Sequence, residues 1–482
     1  MIRLPVAVAA AVLIPIAFVP QADRRIGPLG ASPSDGIRLA TGAVITPAGS
    51  HQITGDMIQT AEVSPDGKTI AMNCGGAAAH RILLLDPATG QIRQSIPVGR
   101  AQGTGLAWGP DSRTLYANGG NSGRIHVLRL DENGKATEGM PIALEGTGSF
   151  QSGLAVSPDG TRLIVGDIGV PTLRLIDPST GKEATRRALK RRERPGVLRW
   201  APDGKTVLLA DWGSDKVHIL DPVTLETQMT VTTAAHPNDI RIAGDRVFVS
   251  CGNADQVVVF DRRTGAVSER IHTALTPKAP VGATPSALAI APDLKTLFVA
   301  NSDTNSVMVV DVATPGKSET EGFIPTAHYP TAVAIAPDGK HLIVGCGKGL
   351  GTGPNPPPAS EKGKARPSYP YIATLLNGVV STVAHPNPAQ LAAYTKQVYF
   401  NNPYSNDSLR ETPANVPQPG TSVVPSRVGE RSPIRHVLYI IKENRTYDQV
   451  FGDMEKGDGD KDLAIYGEDV TPNHHALARE YV

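Results

Sequence analysis

Cysteine is almost absent: three residues in 482, too few for a disulfide framework even in an oxidising compartment. No C-x-x-C-H occurs, which excludes covalent haem and with it a redox propeller of that kind. Charge of one sign is missing too. A net charge of +1 with 19% charged residues lacks the footprint of a nucleic-acid or membrane-surface binder, so no nucleic-acid partner is indicated. The opening MIRLPVAVAAAVLIPIAFVPQA places Arg3 before an apolar stretch from Leu4 to Pro20. It reads as a secretory signal over residues 1–22, although Pro15 interrupts it and the cleavage site near Ala22 is weak; an uncleaved anchor is the alternative. An exported protein, periplasmic or extracellular, is therefore expected.

Glycine (49) and proline (41) are abundant and sit at turns, as an all-β chain with many tight connections requires. The turns recur: SPDGK (Ser64 to Lys68), GPDSR (Gly109 to Arg113), SPDGT (Ser157 to Thr161), APDGK (Ala201 to Lys205), AGDR (Ala243 to Arg246), APDLK (Ala291 to Lys295) and APDGK (Ala336 to Lys340). Each is flanked by short apolar runs. Turn prolines at 65, 110, 158, 202, 292 and 337 give a period near 45, with AGDR filling the double step. Strand-like units at that period predict a seven-bladed β-propeller over residues 40–385.

One repeat defines the unit. In PSALAIAPDLKTLFVANSDTNSVMVVD, Ala287 to Ile290 is a first strand, Thr296 to Ala300 a second and Ser306 to Val310 a third, ending at Asp311. A turn such as DPATG (Asp86 to Gly90) or DRRTG (Asp261 to Gly265) leads to a fourth. Cys74, Cys251 and Cys346 each end a second strand, where Asn301 stands in its own repeat. Small buried residues in one recurrent slot are expected there, rather than metal or redox groups. The asparagine-ended second strand and the third strand closing on Asp, as in FVANSDTNSVMVVD and LLADWGSDKVHILD (Leu208 to Asp221), resemble the YVTN-repeat, YncE-like propellers. That resemblance speaks for fold and little for activity.

In a propeller of this kind the PDG and D-x-x-TG turns lie on one face, and the loops between blades and after each second strand on the other. The second face gathers Asp167, Arg194, Asp211, His236, Asn238, Asp239, Asn301, His328 and Tyr329. They are candidates for binding a small molecule or a protein at the channel mouth; the alternative is that Asn, Asp and His cap turns through their own side chains. The basic stretch Lys182 to Gly196 falls on an outer strand and the loop after it, where lysine and arginine discourage edge pairing. KGLGTGPNPPPASEKGKARPSYP (Lys348 to Pro370) is a Gly/Pro-rich insertion projecting from the binding face.

After Ala384 the rhythm stops. Residues 386–433 read as a helix, with Leu391, Ala392, Tyr394 and Val398 at helical spacing, and then a Pro/Ser/Thr-rich linker. In IRHVLYIIKENRTYDQVFGDM (Ile434 to Met454) the run His436 to Ile441 reads as a buried parallel strand with polar oxygens at its C-terminal end. KENRTYDQVFG (Lys442 to Gly452) is similar to the opening of the phosphoesterase family that includes bacterial phospholipases C and acid phosphatases, in the alkaline phosphatase superfamily. The resemblance implies that 434–482 is the N-terminal fragment of an α/β phosphoesterase domain, acting on a phosphate-ester substrate. It implies that Glu443 and Asn444 are ligands of a divalent metal, that Arg445 and Asp448 hold the loop, and that a Ser or Thr nucleophile lies on a segment after Val482. TPNHHALARE reads as a capped helix start, with Asn473 as the cap. DGDKD (Asp458 to Asp462) is not an EF-hand loop, because Leu463 stands where that loop needs glycine. A non-catalytic binding propeller with a vestigial tail is the alternative to the hydrolase.

Overall fold

The computed structural model describes residues 36–39, 41–77, 80–99, 104–145, 150–277, 279–350, 371–402, 422–425, 431–457 and 459–481. The expected secretory signal, residues 351–370 of the insertion and most of the 405–433 linker lie outside them.

Six of the seven repeating turns are built by their aspartate; in the AGDR turn Asp245 instead pairs with Arg262 and Arg263. In the first, Ser64 Oγ donates to Asp66 Oδ1 (2.7 Å), which also accepts the Lys68 amide (3.1 Å), and the Gly67 amide closes on the Ser64 carbonyl. Gly67 has a φ of 71°, which glycine adopts without steric cost. Asp111, Asp159, Asp203, Asp293 and Asp338 accept amides two residues on in the same way. The second turn type uses Asp86, Asp177, Asp221 and Asp261 as acceptors. These turns join four antiparallel strands into a blade, seven times over.

Blade 1 comprises Ile58–Val63, Ile70–Cys74, Arg81–Leu85 and Ile92–Pro97 from the axis outward. Blade 2 comprises Leu106–Trp108, Thr114–Asn118 and Arg124–Leu130, with an outer edge split into Ala136–Glu138 and Ile142–Ala143. Blade 3 is Gln151–Val156, Leu163–Asp167, Thr172–Ile176 and Glu183–Ala188; blade 4 is Pro195–Trp200, Val207–Asp211, Lys216–Leu220 and Thr227–Thr232. Blade 5 is Pro237–Ala243, Arg246–Cys251, Gln256–Asp261 and Val267–His272; blade 6 is Pro285–Ile290, Thr296–Asn301, Ser306–Asp311 and Glu319–Pro325. Second strands such as Ile70–Cys74 and Val207–Asp211 are buried from end to end, whereas an outer strand such as Thr227–Thr232 alternates, because one of its faces meets solvent. The core lies between blades, as where Phe298, Val307 and Ala287 of blade 6 join Val333, Leu342 and Val344 of blade 7.

Blade 7 has an origin that the repeat does not reveal. Its first three strands, Pro330–Ile335, His341–Cys346 and Val379–Ala384, come from the last repeat, but its outer strand is Ser50–Ile53 from the start of the chain. Ser50 pairs with Thr382 and Ile53 with Val379. Gly49 (φ 84°) makes the approach possible, since a Cβ there would collide with the Thr382 carbonyl. The ring is thus closed by hydrogen bonds between its two ends.

Helix α1 (Pro388–Asn401) starts at a capping box between Asn387 and Gln390, with Pro388 in the first turn. Its Leu391 is buried with residues of blades 6 and 7 and its Val398 with residues of blades 5 and 6. Thr395 Oγ1 accepts the Phe323 amide (2.9 Å), and Asn401 hydrogen-bonds Thr46 (2.9 Å) near the closing strand. The helix therefore belongs to the propeller unit, residues 1–406, rather than to the linker.

Residues 407–482 form a second compact unit. Its helices α2 (Tyr447–Phe451) and α3 (Pro472–Tyr481) pack through Phe451 and His475, whose rings lie 5.2 Å apart. Two expectations are corrected here. Residues 436–441 form no strand: Val437 to Ile441 are 75–87% exposed and unpaired, because no neighbouring strand is present among the described residues of this unit. Its α/β character is accordingly not confirmed. Asn473 lies inside α3, and Thr471 precedes it, with Pro472 as the first helical residue.

Candidate functional site

The innermost strand of each blade has one edge facing the axis with no partner strand, so its backbone groups need other partners. Side chains of the preceding blade supply them. Ser286 Oγ donates to the Pro330 carbonyl (3.0 Å), Thr331 Oγ1 to Ile58 (2.5 Å), Asn238 Nδ2 to Pro285 (3.4 Å), and Ser152 Oγ to Pro195. These donors sit at a register shift near the start of each inner strand, which turns them toward the neighbour. Trp108 and Trp200 reach the other way round the ring, donating to the Glu62 and Ala155 carbonyls of the blades before them.

The axis holds a cavity of about 350 Å³ lined by inner-strand residues, among them Gln59, Glu62, Thr104, Arg199, Asp239 and Arg241. Four charges meet in it. Glu62 Oε1 of blade 1 reaches across to Arg199 Nη2 of blade 4 (2.5 Å) and Arg241 Nη1 of blade 5 (3.2 Å). Asp239 bridges the same arginines at 3.3 and 3.4 Å and accepts the Leu288 amide (3.0 Å). Arg199 Nε donates to the Ile240 carbonyl and Arg241 Nε to that of Leu288. Burial by itself would raise the Glu62 pKa, but the two guanidinium groups hold it below the ordinary carboxylate value. Burial opposes the charge on Arg241 as well, and Asp239 and Glu62 outweigh it and push its pKa up. Charge is balanced, two against two, within the channel.

The residues singled out on the loop face are mostly brought to loops, not to one another. Asp167 and Asp211 are buried and receive loop amides: Phe150 and Val170 for the first, Arg194 and Gly213 for the second. Asn301 Nδ2 donates to the Thr273 carbonyl. His236 has a positive φ of 57° and stacks on the exposed Trp212 at 4.3 Å. His328 is pushed down to about 4 by burial, with Lys348 adding to it. Tyr329 lies under the Lys348 ammonium at 3.9 Å, and its amide is held by Asn305. Of this set, Asp239 and Asn238 line the channel. The three cysteines are fully buried and free, and burial pushes their thiols up, to about 11 for Cys74 and Cys251 and about 12 for Cys346.

In the second unit Glu443 lines a cavity of about 480 Å³ together with Lys442, Arg445, Tyr447, Tyr466, Thr471 and His474. Lys442 Nζ lies 2.5 Å from His474 Nε2. Arg445 donates to Tyr466 Oη (3.0 Å), and Asp448 accepts the Asp460 amide (2.9 Å), so both hold the loop. Thr471 Oγ1 is engaged with the Tyr466 and Gly467 carbonyls and His475 Nδ1, and His475 Nε2 meets Asp453 at 2.9 Å.

Residues 83–349 match the family described as Lactonase, 7-bladed beta-propeller. The chain belongs to this family. Among solved structures, it is similar to Kuenenia stuttgartiensis hydrazine synthase, with 20% identity over 61% of this chain and 94% of that one (TM-score 0.51). The WD40 repeats of RRP9 superpose at 12% identity over 70% and 99% (TM-score 0.53), and U3-55K at 11% over 69% and 98% (TM-score 0.52). At these identities the likeness is one of fold. No curated protein matches the chain.

For this lactonase-family propeller, sequence reasoning missed Glu62, Arg199 and Arg241, though a signal was present. Each stands two residues before the first residue of its repeating turn. In the other four blades that position is Ala107, Ala155, Ala289 or Ala334. Charge replacing alanine at one register position, in three blades, marks a shared layer of the ring.

Proposed function

We propose that this is an exported lactonase-family propeller, with YncE-like repeats, whose C-terminal unit supplies part of a divalent-metal phosphoesterase site. The observation that carries the reading is Glu443: it lines the tail cavity, and among the described residues it has no ion pair or hydrogen bond, nor has the Asn444 side chain. A carboxylate and an amide oxygen, adjacent and uncommitted, suit a hard or borderline cation. Such a cation, when bound, polarises a phosphoryl oxygen. Lys442 and Arg445 place positive charge on the same cavity and would orient a phosphate ester. Thr471 is committed to carbonyls at the start of α3 and is not read as the nucleophile, which this reading assigns to a segment after Val482. The exposed run Val437 to Ile441 also supports it, because an apolar run exposed on both faces is what a central parallel strand looks like before its neighbours are added.

The test is to read the encoding frame through and beyond the Val482 codon and assay the whole product on an aryl phosphate with added Mn2+ or Zn2+. Metal-dependent hydrolysis abolished by Glu443→Ala is expected. No turnover, or turnover indifferent to that substitution, would overturn the reading. A ligand-binding propeller without catalysis is favoured by one observation, the balanced channel quartet, in which each carboxylate already has two cationic partners.

A further inference from the structure

Blade 4 carries a cluster at the loop face that neither the channel nor the tail cavity includes. Glu193 lies in the loop entering the blade, Asp211 ends its second strand, and His218 is the third residue of its third strand. His218 Nε2 is 3.4 Å from Asp211 Oδ2 and 4.0 Å from Glu193 Oε1. The three ligand atoms lie within 4.8 Å of one another. The side chains are only 11%, 1% and 14% exposed for His218, Asp211 and Glu193.

The chemistry of this group is unbalanced. His218 Nδ1 lies 3.1 Å from Thr230 Oγ1. Thr230 Oγ1 can accept from Nδ1, and in that tautomer the Nε2 lone pair faces two carboxylates, an arrangement that a cation between them completes. A proton on His218 offsets one negative charge and leaves the other. Among the described residues the ion pairs of Asp211 and Glu193 go to His218 alone. The nearest arginine in sequence, Arg194, turns its guanidinium to the carbonyls of Arg191 and Glu193. Hydrogen bonds offset part of the burial cost: Asp211 accepts the Arg194 and Gly213 amides and the Ser214 hydroxyl, and Glu193 Oε2 accepts the Lys190 amide (2.7 Å), while Glu193 Oε1 faces His218.

The neighbouring blades resolve the same position differently. In blade 3 the third residue of the third strand is Arg174, which neutralises Glu183 at 3.2 Å. In blade 2 it is His126, set against the single carboxylate of Glu138 at 2.6 Å. Of these three blades, blade 4 alone sets two carboxylates around one imidazole.

We propose that Glu193, Asp211 and His218 form a divalent-cation site, with Zn2+ the best match. One imidazole nitrogen and two carboxylate oxygens are a zinc donor set, and ligands at about 2.1 Å around a tetrahedral ion stand about 3.4 Å apart. The His218–Asp211 spacing already meets this, and a small movement of the Glu193 loop closes the rest. Thr230 supplies the outer hydrogen bond that fixes the imidazole. Three protein ligands leave a fourth position for water or a ligand donor atom.

The test is a calorimetric titration of the full chain with ZnCl2, alone and in three variants. Because Asp211 also holds the loop, Glu193→Gln and His218→Gln are used, one on the loop and one on a strand, each checked for fold by circular dichroism. Glu443→Gln removes the tail's proposed ligand, so the two sites are read separately. Expected is one zinc equivalent that survives Glu443→Gln and weakens at least tenfold in either blade-4 variant. The absence of saturable zinc binding would overturn the proposal. So would an equivalent lost only with Glu443→Gln, or one that both folded blade-4 variants retain.

Discussion

Glu62 shows how a single side chain sets the chemistry of the axis. It lies on blade 1, yet its partners are on blades 4 and 5, so removing its charge leaves Arg199 and Arg241 two-against-one with Asp239. Glu62→Gln is expected to lower stability by about 3 kcal/mol in chemical denaturation. Because the folded-state pKa of Glu62 is depressed, its contribution is present above the unfolded value of about 4.3 and is lost as pH falls through the lower folded value. The variant should therefore lose less stability than the parent between pH 5 and 3, both figures being about where carboxylates titrate; parallel pH curves would refute this. His328 acts in the same direction but in a higher pH window. Its pKa falls to about 4 in the fold, against about 6.5 unfolded, so acid protonates the unfolded chain first. Stability is lost between those two values as pH falls, and His328→Gln should flatten that part of the melting-temperature profile.

Among the elements, helix α1 and the run Val437 to Ile441 make opposite cases. The helix has both a local start signal and a tertiary partner, so its cap contributes measurably: Asn387→Ala should cost about 1 kcal/mol. An unchanged denaturation midpoint would show that packing of Leu391 and Val398 alone holds the helix. The apolar run has the composition of a strand and no neighbouring strand among the described residues. In this chain its amides at Leu438 to Ile441 should exchange with deuterium far faster than those of the second strands, such as Val207 to Asp211. Protection equal to the blades would mean that the run is paired.

The whole molecule depends on its closure. Ser50–Ile53 is four residues long but joins the two ends of the ring, which are about 330 positions apart in sequence. Deleting residues up to Ile53 would leave Val379–Ala384 as an open edge, and exposed edges recruit other chains. The expected result is a lower melting temperature together with self-association in size-exclusion chromatography; a monomer melting with the parent would show the closing strand to be dispensable.

The propeller was legible because its information is local and repeated. A Pro-Asp turn needs only four or five residues to close on its own aspartate, and six such turns with AGDR, at one period, define seven blades. The buried cysteine slot followed from the same register. The phosphoesterase reading of KENRTYDQVFG likewise rests on a short run of side chains, and it stands as a proposal. Tertiary structure decided what depends on residues meeting across the ring: the outer strand of blade 7, the quartet of Glu62, Arg199, Asp239 and Arg241, and the cluster of Glu193, Asp211 and His218. It also decided that His436 to Ile441 stays unpaired. Strand propensity lies in the chain, but a strand exists only when a second backbone accepts its hydrogen bonds.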